Sequence, residues 1–135
     1  MHAHFVNPIL NVSNMQESFE WFTRLGWKTG FQWGEPLSFG SVISGDVQLF
    51  LCLNAQGGRG KGANTETFGE TGDESADKGV WMSLWVDDVD EIYKHCLANN
   101  IEITFEPADM PWGVREMHLR HPDGHIFRVS RSTVD

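Results

Sequence analysis

Two cysteines, Cys52 and Cys96, are too few for the disulfide framework of a small secreted scaffold. Both fall inside apolar patterns and read as reduced, buried thiols of a cytoplasmic protein. No apolar stretch approaches the roughly 18 residues needed to cross a membrane. Met1-His2-Ala3-His4 lacks the basic start and apolar run of a signal peptide, so none is expected. Positive charge is scarce as well. Ten Lys and Arg against 19 Asp and Glu give a formal net charge of −9 and a pI of about 5.0. Nucleic-acid binders present basic surfaces, which sets that class aside. An acidic balance keeps a protein soluble, and it can also attract a cationic ligand.

What is present suits one small globular domain of 135 residues. Phe5 to Val12 reads as a strand. Ser13-Asn14 can cap a helix, with Glu17 three residues beyond Asn14. Met15, Phe19, Phe22 and Leu25 then form a stripe of helical period, and Gly26 suits the left-handed residue that ends a helix. Three strands follow: Trp27 to Trp33, Leu37 to Ser44, and an alternating Val47, Leu49, Leu51 and Leu53.

The same order recurs. Val80 to Val86 is a strand, and Asp87-Asp88 caps a helix with the stripe Val89, Ile92, Tyr93 and Cys96, ended by Asn99-Asn100. Ile101 to Glu106, Trp112 to Leu119 and His125 to Ser130 complete it, with Pro122-Asp123-Gly124 as a turn. Val12, Met15, Phe19, Phe22 and Gly26 match Val86, Val89, Tyr93, Cys96 and Asn100 at constant offset. Character is kept at the first four, and tolerance of left-handed geometry at the fifth. The chain is therefore an internal repeat of β-α-β-β-β, an α+β architecture. Residues 1–135 form a single domain, with a first module at 1–54, a Gly-rich loop at 55–79 and a second module at 80–135. The loop contains Gly57-Gly58-Arg59-Gly60-Lys61-Gly62. It reads as a linker, as a mobile flap over a ligand, or as a phosphate cradle, although Gly62 and Ala63 after Lys61 break the phosphate-loop pattern.

Pro8-Ile9-Leu10 through Ser18-Phe19, Trp21-Phe22 and Leu25-Gly26-Trp27 resembles the opening of vicinal oxygen chelate proteins. Pro111-Trp112-Gly113-Val114-Arg115-Glu116 and Leu119-Arg120-His121-Pro122-Asp123-Gly124-His125 resemble their closing module. This superfamily includes glyoxalase I, extradiol dioxygenases, fosfomycin-resistance enzymes and bleomycin-resistance proteins. The resemblance implies paired βαβββ modules whose mixed sheets curl into a cup. Pro111-Trp112-Gly113 with Arg115-Glu116, Glu20-Trp21 and Val47-Gln48-Leu49-Phe50 look most like the bleomycin-resistance branch. That branch sequesters a cationic glycopeptide drug, as dimers with ligand crevices at the subunit interface, and does not turn it over.

Metal-dependent members of the superfamily place one ligand on the first and last strand of each module. Aligning the motifs puts Asn7, Phe50, Trp81 and Arg128 there. Asn is a poor ligand beside imidazole, Phe and Trp cannot ligate, and Arg is a fixed cation. A site without metal or other cofactor is expected. The histidines fit this picture: His4 faces away near a strand end, and His95 lies on a helix surface. His121 and His125 flank a turn in surface or turn-stabilising roles, and His118 can share a face with Glu116. Cys52 and Cys96 show no catalytic signature and read as structural thiols.

Strand parity then predicts the cup's lining. Phe5, Asn7, Ile9 and Asn11 share one face. So do Gln48, Phe50 and Cys52, then Trp81, Ser83 and Trp85, then Ile126, Arg128 and Ser130. Trp112 and Phe39 resemble the aromatic positions that line the drug crevice. Asn7, Phe39, Phe50, Trp81, Trp85, Trp112 and Arg128 are thus the expected ligand-binding residues. These aromatics could instead fill the core or a dimer interface. The expectation is a metal-independent homodimer that sequesters an aromatic ligand, cationic ones included, with no nucleic-acid or membrane partner. The alternative is a metal-dependent glyoxalase- or dioxygenase-like enzyme.

Overall fold

A computed structural model describes residues 1–58 and 79–134. The chain divides into two compact units, Met1–Gly57 and Gly58–Asp135. The readings of residues 59–78 as a phosphate cradle, a flap or a linker lie outside the described residues.

The first unit holds β1 (Ile9–Val12), α1 (Met15–Leu25), β2 (Lys28–Trp33), β3 (Phe39–Ser44) and β4 (Val47–Leu53). Its sheet runs β1-β4-β3-β2, with β1 parallel to β4 and the other pairs antiparallel. Asn14 caps α1 by accepting a hydrogen bond from the Glu17 backbone N–H at 2.9 Å, and Gly26 ends the helix at φ 103°. Leu10, Val12, Val42, Leu49 and Leu51 are buried together with Phe19, Trp21, Phe22 and Leu25 of α1, which form the core of this unit.

The first strand is shorter than the expected Phe5 to Val12. Pro8 has no N–H to give the ladder. Its carbonyl still accepts from Phe50 N at 2.9 Å, while the Asn7 side-chain amide donates to Gln48 O at 3.1 Å. His4 precedes the strand and is exposed.

The second unit repeats the plan with β5 (Trp81–Trp85), α2 (Val89–Ala98), β6 (Glu102–Met110), β7 (Val114–Arg120) and β8 (Ile126–Ser132). Its order, β5-β8-β7-β6, is that of the first sheet, again with the first strand parallel to the last. Ser83 pairs with Arg128 as Ile9 pairs with Phe50. Asp88 caps α2 through the Glu91 N–H at 3.1 Å, and Asn100 takes the left-handed conformation at φ 59°. Arg115 ties β7 to α2, donating from Nε and Nη2 to the two oxygens of Asp90, each at 2.9 Å. The Arg115 hydrogen bond is the main reason the Asp90 carboxyl sits below its ordinary pKa. β6 runs past the expected end at Glu106, through Pro107, because an edge strand with register shifts tolerates a missing N–H. Neither sheet closes on itself.

Candidate functional site

Each sheet buries one face against its helix and leaves the other for aromatic side chains. In the first unit Phe39, Ser41 and Ile43 of β3 pair with Cys52, Phe50 and Gln48 of β4, which puts all six on the face away from α1. Phe39 and Phe50 are in ring contact, with centroids 5.5 Å apart. Phe31 joins them, at 5.6 Å from Phe39 in a stacked arrangement and 5.7 Å from Phe50 edge-on.

Phe31 is absent from the sequence-derived site because the sequence assigned no face to β2. Thr29 opposes Val42 and Gln32 opposes Gly40, so a β-bulge lies between them. Phe31 keeps the alternation with Trp33 on the face of Phe39, while Thr29, before the bulge, falls on the opposite face. A Cβ at Gly30 would collide with Ser41 Oγ, and that hydroxyl accepts a hydrogen bond from Phe31 N at 3.1 Å. The glycine is therefore the local signal of the bulge. Asn7, the remaining expected residue of this unit, lies before β1 with its amide engaged on Gln48.

In the second unit Trp81, Ser83 and Trp85 alternate on the open face, opposite Ile126, Arg128 and Ser130 of β8. Next come Arg120, His118 and Glu116 of β7, and Phe105 of β6 pairs with His118. The centre of this face is a polar network. Arg128 donates from Nε to Glu116 Oε2 at 2.8 Å, from Nη2 to Oε1 at 3.0 Å and from Nη1 to Ser83 Oγ at 3.3 Å. Trp112, on the turn between β6 and β7, donates from Nε1 to Glu116 Oε1 at 3.0 Å. His118 Nε2 lies 2.6 Å from Glu116 Oε2, and its ring stacks on Phe105 with centroids 4.8 Å apart.

Glu116 and His118 are fully buried. Burial acts to raise the Glu116 pKa, but hydrogen bonds from Arg128, His118 and Trp112, with the Arg128 charge, outweigh it and hold the carboxyl below its ordinary value. Burial pushes the His118 imidazole below its ordinary value. The Glu116 bond and charge oppose this without reversing it. The network therefore holds a carboxylate, a guanidinium and a neutral imidazole.

Arg128, Trp81, Trp85 and Trp112 thus belong to one unit, and Phe39 and Phe50 meet in the other. Sequence parity missed Phe31, and it left Glu116 and His118 as a pair without Arg128. Trp33, Trp81, Trp85 and Trp112 are 68%, 53%, 60% and 55% exposed, so these four rings do not fill the core; Trp21 and Trp27 do. Three expectations need correction. Cys52 is half-buried on the open face rather than buried. His121 and His125 are buried, which overturns their surface reading. The turn-stabilising role holds for His121, whose Nδ1 accepts from Asp123 N within the turn at 3.0 Å, while His125 Nδ1 accepts from Val80 N at 3.0 Å.

The residues at the expected metal positions do not fit a metal ion. Phe50 and Trp81 carry no ligating atom, Asn7 spends its amide on a backbone carbonyl, and Arg128 brings a permanent cation already bound to Glu116. Among the described residues no three His, Cys, Asp or Glu side chains group closely enough to hold one.

A family model described as the Glyoxalase/Bleomycin resistance protein/Dioxygenase superfamily matches residues 2–129. Among solved structures, a bleomycin resistance determinant encoded on the transposon Tn5 is similar at TM-score 0.70 and 18% identity, over 98% of this chain and 100% of that one. A bleomycin-binding protein complexed with bleomycin is similar at TM-score 0.68 and 19% identity, over 96% and 99%. A superfamily member from Sphaerobacter thermophilus DSM 20745 is similar at TM-score 0.71 and 22% identity, over 97% and 98%. No curated protein matches in sequence.

Proposed function

The chain belongs to the glyoxalase/bleomycin resistance protein/dioxygenase superfamily, and on that premise we propose that it is a metal-independent binding protein of the bleomycin-resistance type. It sequesters an aromatic ligand, cationic ones included, and releases it unchanged. The observation that carries this reading is the set of exposed aromatic rings on sheet faces turned away from the helices. Flat rings left in water favour stacking with a planar guest, and indole faces also attract cations. The net charge of −9 acts in the same direction. Two of the similar structures are named for bleomycin resistance or binding, which adds support.

Asn7, Phe39, Phe50, Trp81, Trp85, Trp112 and Arg128 line the ligand sites in this reading, with Phe31 added. The protein works as a cytoplasmic homodimer with its crevices between subunits. Among the described residues no helix is long and apolar enough to cross a membrane. Tryptophan fluorescence during titration with bleomycin tests the proposal. Saturable quenching is expected, and no response at high concentration would remove the drug-binding reading. Elemental analysis of protein purified without chelator separates it from a metalloenzyme, for which Glu116 and His118 would be the nearest pair of donors.

A further inference from the structure

The second unit carries more chemistry than a stacking surface requires. A guanidinium has five N–H donors in a fixed fork. Arg128 directs one each to Glu116 Oε2, Glu116 Oε1 and Ser83 Oγ. The other two have no acceptor among the described residues, and the side chain is 22% exposed. Ser83, opposite Arg128, stands between Trp81 and Trp85 on the same face of β5. Alternate residues of a strand lie roughly 7 Å apart, so a ring laid on either indole has its edge within reach of the guanidinium.

The charge balance selects the guest. Glu116 is fully buried and already neutralises Arg128. A second carboxylate brought to this arginine would meet Glu116 across a poorly solvated gap, where like charges repel strongly. A neutral oxygen acceptor can use the two remaining N–H groups without that repulsion.

We propose that Arg128 is the polar anchor of this face, selecting planar aromatic ligands that carry a neutral carbonyl-type oxygen over the same rings with a carboxylate or with no oxygen. Glu116 is the positioning residue that sets this preference. The proposal rests on the aromatic-ligand reading above and adds to it the group beside the ring.

Calorimetric titration of the full chain with quinoline-6-carboxamide, quinoline-6-carboxylate and 6-methylquinoline tests it. The carboxamide is expected to bind at least about tenfold tighter than either of the others, as a hydrogen bond to a charged donor implies. Arg128→Lys, which loses the fixed fork of donors, is expected to remove the carboxamide's advantage over 6-methylquinoline. Glu116→Gln uncovers the arginine's charge and inverts the choice, so that the carboxylate binds tightest, which a merely structural role for Glu116 would not produce. If a single variant fails to fold, the paired Glu116→Gln/Arg128→Met change keeps the face uncharged and is expected to bind all three alike. Equal binding of the three by the natural chain overturns the anchor and leaves the aromatic reading standing. Tightest binding of the carboxylate overturns the charge argument, and no binding of any of them overturns both readings.

Discussion

Arg128 lies side-on against Glu116, with Nε 2.8 Å from Oε2 and Nη2 3.0 Å from Oε1. Because Glu116 is fully buried, removing its partner strands a carboxylate away from water. Arg128→Met should cost about 3–5 kcal/mol of stability, whereas exchanging both, as Glu116→Leu with Arg128→Met, should cost much less. Urea unfolding of the two variants and the natural chain measures the difference. Equal losses would mean that the pair is not coupled.

Acid should weaken the fold through the same network. The folded chain keeps His118 neutral, with burial the main cause. The unfolded chain takes up a proton near the ordinary value of about 6.5. His118 therefore contributes stability above that value, and the contribution is lost as pH falls toward the lowered folded value. The Glu116 contribution is lost further down, as pH falls from the ordinary carboxyl value through the lowered folded one. The urea midpoint should fall between about pH 7.5 and 5, and His118→Gln should flatten that slope. A midpoint independent of pH would contradict it.

The ends of the two helices give a matched pair of positions. Gly26 at φ 103° and Asn100 at φ 59° occupy equivalent places in the repeat. Gly26→Ala should destabilise by about 1 kcal/mol, and Gly26→Asn by less, since Asn tolerates left-handed geometry better than Ala. Thermal unfolding orders the three chains, and an alanine variant as stable as glycine would refute the reading.

This equivalence was legible in the sequence because caps and helical stripes are local signals: Asn14, Asp88 and the Met15 and Val89 stripes announce themselves within a few residues. The alternation of Trp81, Ser83 and Trp85 needed only the period of a strand. Features that depend on register were not legible. Phe31 alternates with Trp33 on the aromatic face, but the bulge beside Gly30 sets Thr29 on the other side, and a lone glycine does not say which half of the strand keeps the face. Glu116 and His118 share parity on β7, but that Arg128 meets them follows from the pairing of β7 with β8. Pro8 and Pro107 misplaced strand ends in opposite directions: β1 begins after its proline, whereas β6 runs through its own, although both are edge strands.

The two thiols should differ in reactivity. Cys96 is fully buried, and burial pushes its pKa up to about 11. Cys52 is half-buried on the open face of the first sheet. A disulfide reagent such as DTNB should titrate one thiol of the native chain and both after unfolding, and Cys52→Ser should abolish the native reaction. Native reaction at Cys96 would contradict the burial.

The central claim is that this protein binds an aromatic ligand without a metal of its own. The direct test is calorimetric titration of chelator-stripped protein with metal-free bleomycin. Saturable binding that is unchanged when a divalent metal is restored to the protein is the predicted result. Binding that appears only after the protein has been reloaded with metal, or no binding in either state, would contradict the account.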